Sequence, residues 1–157
     1  MLFRSVQKSV ELGARGIFIF PAERCVSRPS APDGGKKSER LFKIAEEAAK
    51  QCGRGRIPEV VSTGSYREAV ENAAKAEMPL FFYEDEKTVG FKDALLSGGG
   101  FKTASVVIGP EGGFEPWEVE MARDCGMVVA SLGARILRCE TAPICALSGI
   151  MFHTGNL

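Results

Sequence analysis

Short apolar stretches with strand character recur along this chain between segments whose apolar residues repeat at helical spacing, and that alternation constrains the fold more than any other feature. Strands separated by helices of this length must run side by side in one direction, with the helices laid over them. The expected fold class is therefore α/β, a mostly parallel sheet with helices on both faces. The pattern predicts a helix over Ser5 to Leu12 stopped by Gly13, then a strand over Gly16 to Phe20 halted by Pro21. Ser27 to Gly35 carries two prolines and two glycines and no apolar period, so it reads as a loop. Ser38 is placed to cap a helix to Gln51, built on Leu41, Ile44, Ala45 and Ala48 and ended by Gly53.

A strand over Ile57 to Val61 and a helix capped by Ser65 and running to Ala76 complete the next unit. Beyond it the pattern predicts strands over Met78 to Glu84, Ser105 to Ile108 and Met127 to Leu132, with helices over Phe91 to Leu96 and Glu115 to Cys125. The final helix, Cys139 to Phe152, is apolar almost all round apart from Glu140, Thr141 and Ser148, so it wants a covering on several sides.

At 157 residues and 45% hydrophobic, the chain suits one well-packed domain. No apolar run reaches the ~20 residues of a membrane helix, and the first residues lack the core of a signal peptide, so a soluble, cytoplasmic protein with no membrane partner is expected. Five scattered cysteines and a single histidine offer no metal-ligand spacing; the cysteines read as reduced, small core residues, and no metal is expected. Twenty basic residues balance twenty acidic ones, so any nucleic-acid surface must be local. The richest stretch is Arg24 to Lys43, where Arg24, Arg28, Lys36, Lys37, Arg40 and Lys43 outnumber Glu23, Asp33 and Glu39. A solvated loop running into a helix accounts for that stretch equally well.

Three loops follow strands: Tyr83-Glu84, Gly109 to Phe114, and Gly133 to Arg138. In open α/β sheets ligands bind at the carboxyl ends of the strands, so the three are expected at one site. In Gly109-Pro110-Glu111-Gly112-Gly113-Phe114 the paired glycines allow unusual φ values and close approach to a ligand, and Pro110 stiffens the entry. The loop lacks the Gly-Lys-Ser/Thr of a P-loop and the GxGxxG of a dinucleotide fold, and a tight turn with no ligand remains open. In Leu132 to Ala142, apolar Ile136 and Leu137 lie between Arg135 and Arg138, which suits a pocket wall beside an anion. The plainer alternative pairs both arginines with surface acids and uses Glu140 to cap the last helix.

The blocks IGPEGGF, EVEMAR and SLGARILRCETA, together with VQKSVELG, ERCVSR, EAAKQCGR and IPEV, closely resemble the RsmE family of 16S rRNA uridine-N3 methyltransferases, within the SPOUT class. The resemblance covers nearly the whole chain. It implies an α/β domain whose C-terminal segment threads a loop to form a trefoil knot, and a homodimer packed through the knot and the final helix. It also implies S-adenosyl-L-methionine as cofactor, held by Tyr83, Glu84, Gly109, Pro110, Glu111, Gly112, Gly113, Ser131, Leu132, Gly133, Ile136, Leu137 and Arg138. The implied partner is 16S rRNA or the small ribosomal subunit. Family members usually carry a PUA-like RNA-binding domain and a first strand ahead of the VQKSVELG helix, and both are expected to be absent here.

For transfer to uridine N3, a cation beside the uracil oxygens stabilises the deprotonated ring, which makes Arg138 and then Arg135 the candidates. Glu140 is the nearest carboxylate for the proton, with Glu111 the alternative. Arg24, Arg28, Arg40 and Arg54 are expected on rRNA phosphates. His153, Trp117 and Met121 read as packing or surface residues. Two other readings stand beside this one: a cofactor-binding but non-catalytic RNA-binding or ribosome-assembly module, and an unrelated α/β enzyme holding a phosphate in the glycine loop.

Overall fold

The computed structural model describes residues 2–25 and 34–157, and of residues 34–37 the backbone only. In chain order the elements are α1 (Leu2–Glu11), β1 (Gly16–Ile19), α2 (Gly34–Gln51), β2 (Glu59–Ser62), α3 (Tyr66–Ala73), β3 (Met78–Phe82), α4 (Phe91–Ser97), β4 (Ala104–Ile108), α5 (Pro116–Asp124), β5 (Val128–Ala130) and α6 (Thr141–His153). Every strand pairing is parallel, as the alternation predicts, but the strands divide into two sheets: β1 with β2, and β4-β3-β5 with β3 in the middle.

The three-stranded sheet shows how the sequence covers both its faces. Because side chains alternate along a strand, the row Phe81, Val107 and Val129 faces one way, and the rows through Leu80 and Phe82 face the other. Phe81 and its row pack with Tyr66 and Val70 of α3 and Val119 and Ala122 of α5. Leu80, Phe82 and Ala130 pack with Ala94 and Leu95 of α4 and Ala146 and Ile150 of α6. Phe81 and Leu80 are wholly buried, so each contributes about 1.5 to 3 kcal/mol of burial. A third cluster joins Val6 and Val10 of α1 to Leu41, Ala45 and Ala48 of α2, over Ile17 and Ile19 of β1.

Several boundaries differ from expectation for identifiable reasons. Helix α1 starts at Leu2 because Leu2 and Phe3 join the third cluster. Helix α2 starts at Gly34, so Ser38 lies inside it and does not cap it; most of the expected Ser27 to Gly35 loop lies outside the described residues. Strand β2 begins after buried Pro58, which has no N–H for a ladder. Ser65 does cap α3, accepting from the Glu68 N–H at 3.2 Å. The five cysteines are all unbridged, and none is fully buried; Cys52 and Cys145 are exposed, so they are not core residues. His153 stacks on Phe101 and half-exposed Trp117 meets Tyr66 edge-on, both packing contacts as read from the sequence.

Candidate functional site

The chain leaves β3 toward β4 on one side, then crosses back to lay β5 on the other, so the loops after these strands meet over the carboxyl end of β3. Such a reversal opens a crevice. Here it is a cleft of about 990 Å³, lined by residues 82–87, 89–92, 108–111, 113, 131–139 and 142. Of the residues expected to hold the cofactor or to carry the catalysis, all line it except two. Gly112 turns away, its carbonyl accepting from Arg24 at 3.2 Å. Glu140 stands at the start of α6 outside the lining, with no side-chain capping bond. Glu111 does line the cleft.

The first wall extends well past Tyr83-Glu84. The segment after β3 folds back along the exit of β5: Ser131 N–H donates to Val89 at 2.9 Å and Phe91 N–H to Ser131 at 2.9 Å. Glu86 fixes the turn between them. One carboxylate oxygen accepts from the Thr88 hydroxyl at 2.5 Å, the Thr88 N–H at 2.7 Å and the Val89 N–H at 3.3 Å, and the other meets Arg123 of α5 at 2.9 Å. Held chiefly by the Thr88 hydroxyl, its pKa falls to about 2. Burial, with Asp85 and Glu84 adding to it, pushes the Tyr83 phenol above its ordinary range.

The second wall is the glycine loop. Gly113 N–H closes a turn onto the Pro110 carbonyl at 2.9 Å, and Gly113 adopts φ +71°, which a side chain disfavours. Glu118, at the third position of α5, is fully buried and accepts from the N–H groups of Glu115 at 2.8 Å and Glu23 at 3.0 Å. It thus ties the base of the loop to the segment after β1.

The third wall runs from Ser131 to Cys139. Gly133 takes φ +114°, and the N–H groups of Ala134 to Arg138 donate to no backbone carbonyl among the described residues. Ile136 is 85% exposed, unusual for an isoleucine in a cleft wall. Arg135 and Arg138 make no ion pair among the described residues, so the acid-paired alternative does not hold. The Arg138 carbonyl accepts the first N–H groups of α6, from Thr141 at 2.8 Å and Ala142 at 2.9 Å, which fixes the residue against that helix. Burial raises the Cys139 thiol, and its hydrogen bond to Glu111 raises it further while joining the second and third walls.

The arginines expected on phosphates are scattered. Arg24 pairs with Glu115 at 2.7 Å, and Arg40 lies over the Phe3 ring at 4.3 Å. Arg54 is engaged within the protein: its guanidinium donates to the carbonyls of Val10 at 2.7 Å, Ala14 at 2.8 Å and Gly13 at 3.4 Å, closing the end of α1. Arg28 lies outside the described residues. Ending the first loop at Glu84 left out Glu86, Lys87 and Thr88, whose signal was position in the loop after a strand, and Lys92, in the first turn of the helix that follows.

The family model described as RNA methyltransferase domain matches residues 2–151. The chain belongs to the RNA methyltransferase domain family. Relatives of this family named ribosomal RNA small subunit methyltransferase E include one from Bacillus subtilis, 36% identical over 153 residues, covering 95% of this chain and 60% of the relative. Another, from Mesomycoplasma hyopneumoniae, is 32% identical over 145 residues, covering 92% of this chain and 61% of the relative. Among solved structures, a putative methyltransferase from Legionella pneumophila in complex with the bound cofactor SAM superposes with a TM-score of 0.85 at 31% identity, covering 96% of this chain and 60% of that one. A ribosomal RNA small subunit methyltransferase E from Neisseria gonorrhoeae bound to S-adenosyl methionine gives a TM-score of 0.82 at 31% identity, again covering 96% and 60%. The α/β SPOUT-type fold and the family resemblance read from the glycine loop and the LGARILRCETA block are thereby borne out. The chain spans about 60% of the length of these RNA methyltransferase relatives.

Proposed function

We propose that this chain carries the S-adenosyl-L-methionine-dependent step of uridine N3 methylation in 16S rRNA. The observation that carries this reading is the cleft where the three loops meet, with Arg138 in no ion pair among the described residues, beside apolar Leu137. The residues fit the cofactor. Leu132, Ile136 and Leu137 offer apolar walls for an adenine, the N–H groups of Ala134 to Arg138, which meet no backbone carbonyl among the described residues, offer donors for its edge, and Glu84 and Asp85 offer negative charge to its cationic groups. When bound, the cofactor supplies a methyl already activated on a sulfonium.

The chain's own work is alignment and charge. Gly109, Pro110 and Gly113 set the main chain of one wall, and Ser131 and Gly133 that of the other. Arg138, held at its backbone by α6, stabilises the negative charge that uracil gains when N3 loses its proton. Glu111 replaces Glu140 as the carboxylate positioned to accept that proton. A non-catalytic module would leave Arg138 in the cleft without a task.

Rotational pairing of two copies through α6 suits its apolar surface, where Phe152 is 77% exposed, and extends the reading to a homodimer with the knotted C-terminal segment at its interface. No helix among the described residues is long and apolar enough to cross a membrane, in keeping with work on ribosomal RNA in the cytoplasm. Calorimetric titration with S-adenosylhomocysteine tests the site: micromolar binding supports the reading, and no heat of binding contradicts it.

A further inference from the structure

The cleft holds more positive charge than the cofactor and the uracil use. Lys87 in the loop after β3, Lys92 in the first turn of α4, and Arg135 and Arg138 after β5 all line it, and all four are exposed. Lys92, Arg135 and Arg138 have no ion pair among the described residues, and Lys87 reaches only the Glu84 carbonyl at 3.4 Å. Most acids of the same cleft are engaged by the protein: Glu86 by Thr88, Val89 and Arg123, Glu111 by the Cys139 thiol, and Asp85 by the Tyr83 hydroxyl at 3.4 Å. Of the acids lining the cleft, Glu86 is the one held in an ion pair among the described residues, whereas none of the four cations is.

S-adenosylmethionine does not account for them. Its sulfonium and ammonium are themselves positive, and its one carboxylate satisfies at most one cation. With Arg138 turned to the uracil, Lys87, Lys92 and Arg135 suit a ligand with several negative charges spread along the cleft mouth, which is the chemistry of a phosphodiester backbone. Meanwhile Arg24 and Arg54 are occupied by Glu115 and by the end of α1.

We infer that Lys87 and Lys92 on one lip and Arg135 on the other bind phosphates of the RNA strand, so that the strand crosses the mouth of the cleft and the target uridine enters between the lips. This rests on the RNA methyltransferase reading, and it moves the phosphate contacts from the Arg24 to Lys43 stretch to the segment after β3.

The test compares K87Q/K92Q and R40Q with the unaltered chain, reading fluorescence anisotropy of a labelled single-stranded, uridine-containing RNA across a salt series, with S-adenosylhomocysteine calorimetry alongside. Each lost phosphate contact flattens the salt slope by about 0.7, so K87Q/K92Q should lose about 1.4 and bind RNA roughly tenfold more weakly near physiological salt. Affinity for S-adenosylhomocysteine should stay unchanged, as should RNA binding by R40Q. The inference is overturned if K87Q/K92Q keeps both affinity and slope, if R40Q loses as much, or if the unaltered chain binds no RNA. Should the unaltered chain bind RNA but not S-adenosylhomocysteine, the cofactor reading fails while the lysine result stands on its own.

Discussion

Gly113 lies so close beneath the Glu84 carboxylate that a Cβ atom at this position would overlap it, and its φ of +71° independently disfavours any side chain. The contact joins the glycine loop to the first residues after β3, two walls of the cleft. Gly113→Ala should therefore cost about 1 to 3 kcal/mol in denaturant unfolding and weaken S-adenosylhomocysteine binding. Gly100→Ala, where a Cβ meets nothing within 4 Å and φ is ordinary, should change neither.

Glu86 should make stability depend on pH in a specific window. Its folded pKa of about 2 lies below the unfolded carboxylate value, so its contribution is complete above that unfolded value and is lost as pH falls through about 2. Glu86→Gln should lower stability by about 1 to 3 kcal/mol at neutral pH, since it weakens bonds from Thr88, Val89 and Arg123. The gap between the melting temperatures of the two proteins should narrow from about pH 5 toward pH 2.

Arg54 should matter for folding and not for RNA. Removing it takes a donor from three carbonyls at the end of α1, of which Val10 keeps the Gly13 N–H at 3.0 Å, so Arg54→Ala should destabilise by about 1 to 3 kcal/mol. RNA affinity, measured at a temperature where the variant is folded, should equal that of the unaltered chain.

Glu118 should be among the least replaceable acids. Glu118→Ala leaves the N–H groups of Glu115 and Glu23 without their buried acceptor, at a cost of about 2 to 4 kcal/mol, readable as a shift in denaturant midpoint.

Much of this was legible in the sequence because local chemistry decides it. Ser65 caps α3, Gly13, Gly53 and Gly126 take the positive φ expected of helix stops, and the row of Phe81 follows from strand alternation. The three loops could be brought together because α/β connectivity dictates where strand ends lie. What escaped was set by partners distant in sequence. Nothing near Arg54 indicates that it reaches back to Val10, and nothing near Glu86 indicates that Arg123 will meet it. Glu140 was the nearest carboxylate along the chain, yet the turn into α6 takes it out of the cleft, while Glu111 comes in from another loop.

The central claim is methyl transfer governed by Arg138. Small ribosomal subunit RNA lacking the modification should be incubated with the chain and S-adenosylmethionine, digested to nucleosides and assayed for N3-methyluridine. The account predicts its formation by the unaltered chain and a loss of about 100-fold or more in Arg138→Ala, with S-adenosylhomocysteine binding retained. Full methylation by Arg138→Ala, or no N3-methyluridine from a chain that binds both cofactor analogue and RNA, would contradict it.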